Sequence, residues 1–444
     1  MSILPQLAFV LILGAAGLIL RKRILFLKRN ILLGKDETRN DQPNERWKTM
    51  FLVAFGQQKM FKRIIPAFLH FLIYVGFLVI NLEVLEFVLD GILGTHRLFA
   101  PLLGGAYTVA INIFEFLAVA VLVSCVAFLI RRNVMQVERF TKPEMKGWPA
   151  MDANLILVIE IILMFAILTM NATDQILASR GDEHYLALGP LFFSRILQPI
   201  FMGLSDGALV FIERFAWWFH IIGILAFAVY VTYSKHLHIF LAFPNTWYSN
   251  LKAKGEIQNM PEVTQEVNMM LGIPVENPSA PPAEIGRFGA KDVNDLSWIN
   301  ILNAYSCTEC GRCTSECPAN LTGKKLSPRK IMMDVRDRAE EVGKSIDAGG
   351  PGLEDGKSLL GDYISKEEIN ACTTCNACVE ACPVNIDPLS IILQLRRYVA
   401  MEESGTPAQW NAMFQNMETS FSPWKFSPSD RFNWSEKVKE EEMK

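Results

Sequence analysis

The sequence has no excess of basic charge: 43 Lys and Arg stand against 46 Asp and Glu, a net of −3 over 444 residues. A chain that grips nucleic acid carries a basic face and a positive domain charge, so that class is excluded. Charge of either sign is sparse, at 20%, while apolar residues reach 51% and gather in long runs. That composition excludes a disordered chain and a wholly soluble one. Widely spaced cysteines are also lacking. Eight of the nine crowd into two short groups, and Cys125 sits alone in an apolar run. Such crowding argues against a secreted disulfide framework and for metal ligands in a reducing compartment. No helix-turn-helix, kinase or other output motif is present to support a sensor, and strand signals are few.

What is present divides at about residue 240. Before it lie 22 Lys/Arg and 17 Asp/Glu, a net of +5; after it 21 and 29, a net of −8. A hydrocarbon core of ~30 Å takes about 20 apolar residues in a helix. Five stretches qualify: 3–20, 64–89, 102–130, 153–170 and 209–233. The first lacks a basic region ahead of it and its charges, Arg21, Lys22 and Arg23, follow the apolar run, so it reads as a retained helix rather than a signal peptide. Segment 21–63 carries 12 Lys/Arg and segment 131–152 carries five, against three in the opposite loops 91–101 and 171–208. The imbalance places the N-terminus outside the inner (cytoplasmic) membrane and the cysteine region in the cytoplasm.

Ionisable groups inside apolar helices are costly and mark function. His70 lies about 9 Å, six or seven residues, into the second helix from its inner end. His236 and His238 stand where the fifth helix leaves on the same side. Helices two and five thus present imidazoles at similar depth, as two axial ligands of a haem b require. His220 sits 18 residues before His238, in the outer part of helix five. A second haem needs a further histidine near Ile80, and none is there. Glu83, Glu115 and Glu160 are the remaining buried acids. Hydrogen bonding between helices is one role for them; the other is proton handling beside a quinone head group, for which Glu83, Glu115 and His220 are the candidates.

In the polar half, Cys307, Cys310, Cys313 and Cys317 precede Pro318, and Cys372, Cys375, Cys378 and Cys382 precede Pro383. Both copies read C-x2-C-x2-C-x3-C-P. Three cysteines at this spacing wrap one face of a cubane, and the fourth reaches the other cluster. One 4Fe–4S cluster is therefore expected on Cys307, Cys310, Cys313 and Cys382, and a second on Cys372, Cys375, Cys378 and Cys317. Zinc sites want paired thiolates, which the third cysteine and trailing proline do not suit. Ser327-Pro328 opens a helix expected to about residue 342, and Asp387-Pro388 another to about 401. A Gly-rich loop, 348–356, lies between. After 403, seven aromatics from Trp410 to Trp434 recur without periodicity, either packing back on the cluster domain or docking a partner.

The His70 segment and the Ser234–Ile239 exit of helix five resemble the five-helix cytochrome b subunit of respiratory nitrate reductase and of membrane heterodisulfide reductase. The doubled cysteine motif resembles the cluster domain of heterodisulfide reductase and related membrane-bound iron–sulfur oxidoreductases, some linking electron-transfer flavoprotein to menaquinone. The resemblance matches His238, His220 and His70 to haem ligands and leaves the fourth position empty, which implies one inner haem on His70 and His238, with His236 as second choice. The disulfide-reducing enzymes also carry a domain with paired adjacent cysteines, absent here, so a separate subunit is expected to hold the substrate site.

The expected protein is mainly α. A five-helix transmembrane cytochrome-b-like domain (1–245) leads through a linker (246–289) to an α-helical, ferredoxin-like dicluster domain (290–402) and an aromatic docking tail (403–444). Its expected role is an oxidoreductase subunit that passes electrons between a cytoplasmic partner, a cysteine-rich protein or electron-transfer flavoprotein, and menaquinone or ubiquinone. The duller alternative is a membrane anchor and cluster relay with no haem or quinone site.

Overall fold

The computed structural model describes residues 3–274, 287–350 and 355–443. The proline-rich part of the linker, 277–282, and residues 351–354 of the Gly-rich loop lie outside them. Among the described residues no β-strand forms, and two isolated bridges, Lys35 with Ser297 and Leu360 with Ile364, are the only β pairing.

Five long apolar helices form where the runs predict them: α1 (Leu4–Ile31), α2 (Ile64–Leu93), α3 (Gly105–Asn133), α4 (Trp148–Ser179) and α5 (Asp206–Val231). Each is long and apolar enough to cross a bilayer. Their outward side chains, such as Leu11, Ile64 and Leu102, stay exposed, as lipid-facing residues do, while Phe9, Phe87, Val121, Leu163 and Trp217 pack inside. α2 packs on α3, α3 on α4 and α4 on α5, with α1 against α2 and α5. α2 and α5 touch through Phe87, which meets Trp217 and His220, and a cavity lies between them.

Three helices run past their apolar runs because polar residues at the ends find partners. α2 continues to Leu93 and stops at Gly94, whose φ of +73° a side chain rarely adopts. α4 continues to Ser179, carrying Asn171 and Asp174 into contact with Arg97. α1 continues through its basic residues to Ile31. Arg23 pairs with Glu340 at 2.7 Å, and Asn30 Nδ2 donates to the Tyr305 hydroxyl at 3.1 Å. Gly343 makes that approach feasible, since a Cβ there would lie 2.2 Å from Asn30 Oδ1. α1 is therefore a spine shared by both halves.

After α5 a short turn leads into α6 (His238–Trp247). The cluster domain is built on α7 (Trp298–Tyr305), α8 (Pro328–Gly349) and α9 (Pro388–Met401). Ser327 caps α8 by accepting from Lys330 N, and Asp387 caps α9 by accepting from Ser390 N at 3.0 Å. α8 outruns the expected end at 342 by seven residues. Its inner face, Ile331, Val335 and Ala339, meets Ile301, Ile391 and Leu395 in one core. The stretch read as linker contains a helix, Pro261–Met270. In the tail, α10 (Ala408–Ser420) and α11 (Asn433–Glu442) bury no residue. All seven aromatics there stay exposed, so the tail does not pack back on the cluster domain.

Candidate redox site

The two cysteine loops repeat in backbone as well as in sequence. Glu309 and Gly311 flank Cys310 with positive φ, and Thr374 and Asn376 flank Cys375 in the same way. Two left-handed residues per loop curl the chain so that three cysteines face one point. The amide of Glu309 reaches Cys307 Sγ at 3.4 Å, Thr374 reaches Cys372 Sγ at 3.4 Å, and Ile386 reaches Cys382 Sγ at 3.3 Å. A Cβ at Gly311 would meet Arg329 Nη1 at 2.4 Å, so a larger residue there would have to displace that guanidinium.

Cys307, Cys310, Cys313, Cys378 and Cys382 line one small void. Cys378 also feels Cys372 and Cys317, and Cys372 feels Cys317 and Cys375. Cys382 thus shares the void with the first three cysteines of the other copy, and Cys317 acts electrostatically on Cys372 and Cys378. Among the described residues no three His, Cys, Asp or Glu side chains close on a single-ion site. Burial pushes the Cys307 thiol up to about 12 and Cys382 to about 11. Thiolates so placed need a cationic group between them, which suits an iron cluster. Cys375 is the exposed member of the set.

The cavity between α2 and α5 measures about 360 Å³ and is mostly apolar. His70, His220, His236 and His238 line it, with Glu160. Its inner end touches Cys310, Arg312 and Pro383 of the cluster domain. The His70 and His238 rings stand 6.3 Å apart, centre to centre, at 41°. Two imidazoles bonded to one metal at about 2 Å each have ring centres roughly 6 Å apart. His70 Nδ1 lies 3.1 Å from Gln57 Oε1, and His238 Nδ1 lies 3.2 Å from the Lys235 carbonyl. Both oxygens accept, so each Nδ1 donates and each Nε2 keeps a lone pair for the cavity. Burial holds His236 down to about 3 and His238 to about 4, which keeps both neutral and able to ligate. The His236 ring stands at 90° to His238, 5.4 Å away. These features fit a haem b.

Of the three side chains expected beside a quinone, only His220 faces this cavity. Its Nδ1 lies 3.0 Å from the Leu163 carbonyl and its Nε2 has no partner. Glu115 does not line the cavity; it accepts from Asn171 at 3.1 Å and from the amides of Phe193 and Ser194 at 3.0 and 3.2 Å, fixing a short helix, Ser194–Phe201. Glu83 is buried beside the cavity wall with neither oxygen partnered. Glu160, not among those three candidates, lines the cavity instead. Gln57, Lys235 and Arg312 were not singled out in the sequence. For Lys235 the signal was its place between Ser234 and His236.

A 4Fe-4S dicluster domain model matches residues 306–386. The chain is 26% identical over 455 residues to the probable iron–sulfur-binding oxidoreductase FadF of Bacillus subtilis, covering 96% of this chain and 59% of that one. It is 27% identical over 433 residues to the EtfAB:quinone oxidoreductase of Syntrophomonas wolfei, covering 91% and 56%. Over 147 residues it is 27% identical to one component of the dihydromethanophenazine:CoB–CoM heterodisulfide reductase of Methanosarcina mazei, covering 32% and 35%. The chain therefore spans somewhat over half the length of the first two relatives. No solved structure matches it. The chain thus carries a match to a 4Fe-4S dicluster domain and five helices long and apolar enough to cross a membrane, and it is similar to proteins named as iron–sulfur and quinone oxidoreductases.

Proposed function

We propose that this subunit passes electrons between a cytoplasmic redox partner and the quinone pool, in the inner membrane with the cluster domain on the cytoplasmic side. The observation that carries the reading is the continuity of one cavity from His70 and His238 to Cys310 and Arg312. We assign Cys307, Cys310, Cys313 and Cys382 to one 4Fe–4S cluster, Cys372, Cys375, Cys378 and Cys317 to the other, and His70 with His238 to a haem b. When bound, these groups supply one-electron carriers.

The residues of the chain do the rest. Gln57 and the Lys235 carbonyl hold the two imidazoles in one tautomer and orientation. Backbone amides of Glu309, Thr374 and Ile386 donate toward cysteine sulfur, which stabilises added electron density there. His220 and Glu160 face the membrane part of the cavity and suit the two oxygens of a quinone ring. The exposure of Cys375 supports the second cluster as the one nearer a partner. An electron-transfer flavoprotein is the favoured partner, because a relative covering 91% of this chain is an EtfAB:quinone oxidoreductase. The test is anaerobic purification followed by iron analysis and an optical spectrum. About nine irons per chain, eight in the clusters and one in the haem, and a reduced b-type haem band are expected; zinc in place of iron, or no haem band, refutes the respective assignment.

A further inference from the structure

The bundle end farthest from the cluster domain holds a buried ionisable network that electron transfer does not use. Along α2, Glu83, Glu86 and Asp90 recur on one face, and Ile80, one turn inward, lines the cavity. Asp90 is a cap, accepting from the amides of Arg97 and Leu98, and Glu115 fixes a helix start as described. Glu86 accepts from the Phe99 amide at 2.8 Å through one oxygen and leaves the other for a side chain; Glu83, Asp174 and Glu213, each no more than 3% exposed, accept from no backbone amide in this way. Two guanidiniums, Arg97 and Arg214, stand among them. A surplus of carboxylate in a low-dielectric place is most cheaply neutralised by protons, and no single-ion site forms among the described residues.

The groups follow one another from the cavity to the surface. Glu83, with no partner for either oxygen, is the first group past the cavity wall. Buried carboxyls are nearly always partnered, so this one is suited to exchanging a proton rather than to holding structure. One turn outward, Glu86 accepts from the Tyr107 hydroxyl at 2.6 Å. Arg97 bridges that hydroxyl, at 3.4 Å, and Asp174 Oδ2, at 2.6 Å. Asp174 Oδ2 lies 3.5 Å from His96 Nε2. His96 Nδ1 faces Arg214 at 3.3 Å. A guanidinium only donates, so Nδ1 accepts and the ring proton sits on Nε2, toward Asp174. The His184 ring lies 5.1 Å from His96, centre to centre, tilted at 32°, and is exposed.

We propose that this network is a proton outlet joining the cavity to the face opposite the cluster domain. The proposal rests on the quinone reading above. A quinol that gives two electrons to the chain becomes the quinone and releases two protons. The electrons leave on the cluster side to a one-electron acceptor, and the protons leave by Glu83, Asp174, His96 and His184 on the other. Turnover then moves charge across the bilayer.

The test uses the full-length holoprotein in proteoliposomes that enclose a pH dye, with a short-chain quinol in the membrane and ferricyanide outside. Ferricyanide does not cross the bilayer, so only molecules with the cluster domain outward react; each quinol reduces two ferricyanides and frees two protons. Acidification of the lumen in step with ferricyanide reduction is expected, and protons appearing only in the outer medium overturn the proposal. Glu83→Gln and Tyr107→Phe, each checked for unchanged haem spectrum and iron content, should slow lumenal acidification at least about tenfold. Azide in the lumen, a small proton carrier, should restore it. Unslowed acidification in both variants, or no rescue in either, overturns the outlet. Absence of ferricyanide reduction by the unmodified protein is a different result: it removes the quinone reading itself.

Discussion

Lys235 and Glu309 form a buried ion pair that fastens the turn carrying His236 and His238 to the loop between Cys307 and Cys310. Arg336 reaches the other oxygen of Glu309 at 2.8 Å, and the Lys235 amide donates to Asp152 at 3.1 Å. The carbonyl of the same Lys235 orients His238. One residue therefore sets the imidazole on one side and the cysteine loop on the other. Burial alone raises Glu309, but Arg336 and Lys235 outweigh it and hold the carboxyl below its ordinary value. With two cations beside it, Glu309 stays charged.

Removing one member of such a pair leaves buried charge uncompensated. Glu309→Gln should destabilise the chain by about 3–5 kcal/mol, read as a lower unfolding midpoint of the detergent-solubilised protein. Lys235→Met together with Glu309→Leu should cost less than the two single changes added, because no charge is then stranded. Additive losses would show that the pair is not coupled.

The haem assignment separates three histidines. His70→Ala and His238→Ala should each abolish the b-type band, while His236→Ala should retain it. Gln57→Ala removes only the acceptor of the His70 ring proton, and should weaken haem retention by about 10–100-fold. Equal loss from His236→Ala and His238→Ala would transfer the ligand role to His236.

Much of this was legible in the sequence. Apolar run length located the five helices, and cysteine spacing located the two loops. The ends of the helices were not legible, because charged residues there are tolerated only through partners far along the chain. Arg23 meets Glu340 across 317 positions, and Arg97 meets Asp174 across 77. Nor does an acid in an apolar helix declare its neighbour. Glu115 and Glu160 are alike in sequence, yet one caps a loop and the other faces the cavity, since a helix apolar on every side carries no periodic mark of which face meets what.

Glu144 supports a pH prediction away from any cysteine or histidine. It lies between α3 and α4 and accepts from Arg329 at 2.6 Å and Ser327 Oγ at 2.8 Å, tying that loop to the start of α8. Burial raises its carboxyl, but these donors outweigh it and the net shift is downward from 4.5. A depressed carboxyl stabilises the fold fully above its ordinary value and progressively loses that contribution as pH falls below it. Glu144→Gln should lower stability by roughly 2 kcal/mol at neutral pH, and the gap from the unmodified protein should narrow as pH falls below 4.5. A gap that stays constant down to about pH 3 would rule out the ionised carboxylate as its source.

Pairs of cysteine substitutions distinguish interleaved ligation from copy-by-copy ligation. In the proposed arrangement Cys307 and Cys382 serve the same cluster, although they lie in different copies of the motif. Cys307→Ser with Cys382→Ser should therefore lose one cluster, about four irons, as either change does alone. Cys372→Ser with Cys382→Ser, two changes within one copy, should lose both clusters and about eight irons. Copy-by-copy ligation predicts the reverse pattern, with the first pair stripping both clusters and the second pair only one. Iron counts on anaerobically prepared variants, with the spin signals of the reduced clusters, decide between them. The reason to expect the interleaved result is that Cys382 lines one void with Cys307, Cys310 and Cys313 of the other copy, a void that Cys378 also reaches.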